Sequence, residues 1–98
     1  MVKEEIMVKG EYDEIFERCK RAMKSIRAGI TSENKEKGEI KGVRALSFTS
    51  WGERITISMS PAEESFRITI ESNPLLFDWS GKNKKNVDLL KSYIKGKR

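Results

Sequence analysis

The chain's hydropathy pattern predicts an α+β fold, an antiparallel sheet covered on one face by helices, and three observations carry that prediction. The neighbouring runs Arg54 to Ser60 and Phe66 to Glu71 alternate apolar and polar residues, as antiparallel strands with one solvated face do. Between Glu11 and Arg27 the apolar residues recur at spacings of three and four, one face of a helix. A second helical period, Asn83 to Ile94, closes the pattern.

The elements follow in order. Val2 to Val8 reads as a strand, with Val2, Ile6 and Val8 on one side and Glu4 interrupting that side. Gly10 breaks it. In the helix that follows, Tyr12, Ile15, Phe16, Cys19, Ala22, Met23 and Ile26 form the apolar face. Asp13 and Glu14 sit in its first turn, Lys24 and Arg27 near its end, each sign suited to the helix dipole. Glu14–Arg18 and Glu17–Arg21 are spaced for i,i+4 ion pairs, and Gly29 is the expected stop.

Ile30 to Asn34 is weakly strand-like, and Lys35 to Gly38 has hairpin-turn composition. Glu39 to Leu46 resumes a strand whose Val43 and Ala45 fall out of phase with Ile40, with a bulge or bend expected at Gly42. Ser47 to Gly52 extends it. Pro61 to Glu64 is the expected turn between the two regular strands, and Pro74 ends the pairing. In the last helix Val87, Leu90 and Ile94 form the inner line, with Leu89 and Tyr93 beside it. The stretch Asn73 to Asn83, N-P-L-L-F-D-W-S-G-K-N, is expected to close one end of the core. The order β-α-β-β-β-β-α makes one domain of residues 1–98, arranged like half of a TATA-binding-protein fold or like a helix-grip domain. A ferredoxin-like arrangement is the runner-up and lacks its second crossover helix.

The run S-W-G-E at Ser50 to Glu53, leading into a strand, and D-W-S-G-K-N at Asp78 to Asn83, opening a helix, resemble the paired motifs of a family of small prokaryotic domains of unknown function. Ser80 is inserted in the second motif relative to the family's Asp-Trp-Gly-Lys-Asn turn. The resemblance implies the same α+β fold and a prokaryotic source, and brings no activity with it.

Composition narrows the function. The chain has no histidine and one cysteine, which excludes Cys/His zinc sites, Ser-His-Asp and Cys-His catalysis and histidine pH switching. No cofactor is expected, and no enzyme activity. No apolar run approaches the ~20 residues that span a bilayer, and a cytoplasmic location is expected. The first 73 residues carry 13 basic and 13 acidic side chains, so the formal charge of +5 belongs to the last quarter. That asymmetry admits an anionic partner, nucleic acid or phosphate.

The candidate anion site is Lys82, Asn83, Lys84 and Lys85, where cations crowd a helix start that a bound phosphate or carboxylate would suit. Gly81-Lys82-Asn83 is not a phosphate loop, because Leu76 stands where that pattern needs glycine. Trp51 and Trp79, with Asp78 bracing the loop, are candidates for a lid over the core's open end or for stacking on a ligand. Cys19, mid-helix on the apolar face, reads as a buried thiol. The functional expectation is a small binding or interaction domain. The alternatives are nucleic-acid or phosphate binding through the basic last helix, and carriage of a small apolar ligand between sheet and first helix.

Overall fold

The computed structural model describes residues 2–44, 52–75 and 81–96. Trp51, Asp78 and Trp79, and the extension of the third strand through residues 45–51, lie outside the described residues.

Seven elements follow in the expected order: β1 (Val2–Val8), α1 (Tyr12–Ser25), β2 (Gly29–Asn34), β3 (Glu39–Arg44), β4 (Glu53–Ala62), β5 (Ser65–Pro74) and α2 (Lys82–Lys95). The strands form one antiparallel sheet in the order β1-β5-β4-β3-β2. β1 and β2, successive in the chain, therefore sit at opposite edges, and α1 must cross the sheet to join them. That requirement explains the long unbroken first helix. α1 packs on β2 and β3, while α2 packs on β5, β1 and α1. The ferredoxin-like alternative does not match this order.

Side-chain alternation places Ile6 and Val8 (β1), Ile40 (β3), Ile55, Ile57 and Met59 (β4), and Ile68 and Ile70 (β5) on the covered face. They meet Ile15, Phe16, Cys19, Ala22 and Met23 of α1 and Val87, Leu90 and Ile94 of α2 in one core. The sheet-facing side chains of α1, Ile15, Phe16, Cys19, Ala22 and Met23, are exposed by 1% or less. Glu4, which breaks the apolar phase of β1, forms an ion pair with Lys91 of α2.

Several local expectations are corrected. Helix α1 is stopped by Arg27 and not by Gly29: Arg27 takes the left-handed conformation at φ 62°. Its N–H donates to Lys24 O, and the Ala28 N–H donates to Met23 O. These two bonds are a Schellman closure, whose left-handed position usually holds glycine. Arg21 pairs with Glu14, and Glu17 with Lys20, in place of Glu17–Arg21. The bulge lies on β2, where the register shifts between Ile30 and Ser32, opposite Gly42. Gly42 keeps the inward phase of β3. A Cβ there would come within 2.3 Å of Met23 Cε and 2.8 Å of Gly29 O, so the apparent break in alternation is room for Met23.

The β4–β5 turn is only Glu63-Glu64, with pairing continuing through Pro61↔Phe66 and Ala62↔Ser65. Met59 donates its N–H to Gly38 O on the β3 side. Position 61 has the same parity, and β3 pairs no further than Ser58, so proline sacrifices no ladder bond there.

Candidate functional site

At one end of the sheet the inward phase continues into polar residues. Arg44 follows Ile40 and Gly42 on β3, Glu53 precedes Ile55 on β4, and Ser72 follows Ile70 on β5. Glu53 and Ser72 are at most 1% exposed, as are Asn83 and Asn86, which α2 projects onto them. Burial of these groups demands internal partners. Asn86 Nδ2 donates to Glu53 Oε1 at 2.8 Å and approaches Ser72 Oγ at 3.5 Å. Ser72 Oγ donates to Asn83 Oδ1 at 2.6 Å. Asn83 Nδ2 has no partner among the described residues.

Arg44 stands at the mouth of this layer. Its Nε donates to Ile26 O at 2.8 Å, and its Nη1 lies 3.5 Å from Asn86 Oδ1 and 3.6 Å from Glu53 Oε1. The guanidinium is thereby tied to the end of α1, to β4 and to α2, and its orientation is set before any ligand arrives.

Outside this layer lies a cavity of about 400 Å³, within the range of small-molecule sites. Arg27 and Arg44 line one wall and Lys82 and Lys85 the other, with no acidic side chain among the described lining residues. Lys82, Lys85, Asn86, Leu89 and Tyr93 all belong to one face of α2, since they are spaced by three and four. Leu89 and Tyr93 are 47% and 38% exposed. The α2 N-terminus has Gly81 as its N-cap, no side-chain cap and no acidic residue in the first turn. The helix dipole there adds to the positive potential.

The four residues of the expected anion site are separated by this geometry. Lys82 and Lys85 line the cavity, Lys84 turns to Asp88 at 3.0 Å, and Asn83 is buried in the polar layer. Farther along α2, Lys91 pairs with Glu4, a hydrogen bond that raises the Lys91 pKa. Arg27, Arg44, Glu53 and Asn86 escaped sequence reasoning as site residues. The available signal was polar residues in the buried phase of β3, β4 and β5. Cys19 is fully buried, and burial pushes its thiol pKa up to about 12, far from a nucleophile's range.

The described ends of the two sequence motifs meet here. Glu53 ends the first and bonds Asn86, and Asn83 ends the second and accepts from Ser72. No helix among the described residues is long and apolar enough to cross a membrane.

No family model matches the chain, and no curated protein matches it. Among solved structures it is similar to the crystal structure of DynU16, from the dynemicin biosynthetic locus, at 10% sequence identity and a TM-score of 0.49. The match covers 98% of this chain and 48% of DynU16, so the chain spans about half the length of that neighbour.

Proposed function

We propose that this chain is a non-catalytic, cytoplasmic binding domain that takes an anionic ligand in the cavity between Arg27, Arg44, Lys82 and Lys85. One observation carries the reading: four cationic side chains, from β3, α2 and the turn after α1, converge on one cavity whose described lining holds no acid. Elsewhere on α2, Lys84 and Lys91 have acidic partners within the chain, while Lys95 has none among the described residues. Lys82, Lys85 and Arg27 have none among the described residues. Like charges so placed repel one another, and a bound carboxylate or phosphate turns that repulsion into attraction. A buried, protonated Cys19 and the lack of histidine support binding over catalysis.

The test is thermal melting in rising inorganic phosphate at constant ionic strength. The Tm should climb with phosphate, by mass action on the folded state. Lys82→Ala/Lys85→Ala should abolish the climb. Lys84→Ala/Lys95→Ala, which removes the same charge outside the cavity, should retain it. Equal loss in both variants, or no phosphate dependence in the parent protein, would sink the proposal.

A further inference from the structure

We infer that the ligand is amphipathic: a small carboxylate whose charged head sits against Arg44, Lys82 and Lys85 and whose apolar body lies along Ile26, Leu89 and Tyr93. This inference rests on the anion-binding reading of the cavity and names the chemical class of what binds there.

The two ends of the cavity wall differ in chemistry. On the α2 face the cations Lys82 and Lys85 occupy the first turn, and Leu89 and Tyr93 the later turns. An ordinary solvent-facing helix stripe carries charge along its whole length. Here the charge stops, and two of the chain's few exposed large apolar side chains continue the stripe on the cavity wall. Ile26 faces them from across the cavity, at the end of α1. A bare phosphate would leave that apolar half unused.

The head position favours an anion. Arg44 spends Nε on Ile26 O and directs Nη1 to Asn86 and Glu53. Its Nη2 has no partner among the described residues. A guanidinium held through Nε and Nη1 keeps Nη2 free to donate to an oxygen of the ligand's anionic head. Glu53 serves this arrangement as a positioning residue: buried at 1% exposure, it holds Arg44 and is not itself reachable by ligand.

The experiment is calorimetric titration with straight-chain monocarboxylates from acetate to decanoate, below their micellar concentrations, with inorganic phosphate and matched alkanols in parallel. Affinity should rise about three- to fourfold per methylene until the apolar half is filled, the increment expected for a buried CH₂. Alkanols should bind at least about tenfold more weakly than carboxylates of equal length, since they lack the charge that the cationic end of the cavity attracts. Leu89→Ser/Tyr93→Ser should flatten the chain-length dependence and leave phosphate binding unchanged. Lys82→Ala/Lys85→Ala should weaken the whole series by a common factor and keep its slope. Phosphate binding with a flat carboxylate series overturns the amphipathic ligand and leaves the anion site standing. If neither phosphate nor any carboxylate binds, both readings fall.

Discussion

Arg27 is the residue that departs furthest from what its local structure prefers. A non-glycine residue in the left-handed region costs roughly 1 kcal/mol or more, and here it closes α1 at the cavity rim. Replacement by glycine should raise stability by about 1 kcal/mol in a chemical melt, because the turn keeps its two backbone bonds and loses its strain. The same variant should bind phosphate more weakly. A loss of stability on Arg27→Gly would show that the side chain, and not the backbone, anchors this turn. Cys19 makes a prediction about pH. Its thiol ionises near 9.0 when unfolded and near about 12 when folded, so between those values the folded state holds the extra proton. Its contribution is intact below pH 9 and declines as pH rises toward 12, by up to ~1.4 kcal/mol per unit. The stability difference between the parent protein and Cys19→Ala should therefore shrink between pH 8 and pH 10.5. An unchanged difference would mean that the thiol reaches solvent. Both residues illustrate what a sequence shows and hides. Cys19 lies within a helical apolar period, which fixes its burial. The stop at Arg27 depends on a backbone angle that Gly29, two residues on, seemed better suited to supply.

Elements were legible where one period governed them. β4 and β5 alternate cleanly, and α1 has a single apolar face, so all three were readable with boundaries off by a residue or two. β3 was harder, because the inward position Gly42 has no side chain and the space belongs to Met23 of another element. Gly42→Ala should cost about 1–3 kcal/mol, as overpacking does, since the backbone oxygen of Gly29 cannot move away as a methionine tip can. Urea melts that place this variant within a few tenths of a kcal/mol of the parent would contradict that tight approach. The candidate site was half legible for a related reason. The lysines of α2 announce themselves as a charge excess. Arg44, Glu53 and Ser72 occupy positions in the apolar phase, and only the assembled sheet shows that they lie side by side. A helix period also cannot say that Lys82 and Lys85 face a neighbour while Lys84 faces Asp88.

For the whole molecule, the sheet order grades stability across the strands. β4 and β5 are paired on both sides, whereas β1 and β2 each have one partner, and most β2 residues are exposed. Native-state amide exchange should be slowest at Ile55, Ile57, Ile68 and Ile70 and fastest among the strands at β2, reflecting local opening from the edges. Exchange in β2 as slow as in β4 would point to a covered edge, such as a second chain paired there.

The register of β1 also bears on how the protein emerges from a ribosome. Val8 pairs with Phe66 and Val2 with Ser72, so β1 waits for β5 to be synthesised. The four later strands form a meander that can zip up hairpin by hairpin as each is released. During that wait β1 is a solitary strand, and Lys3, Glu4 and Glu5 keep it from recruiting a foreign partner, as charged gatekeepers do. Glu4 is the one of these whose side chain faces the helices, and its cation, Lys91, is made 87 residues later. The acid that guards the nascent strand is thus neutralised only when α2 docks, at the moment when guarding is no longer needed.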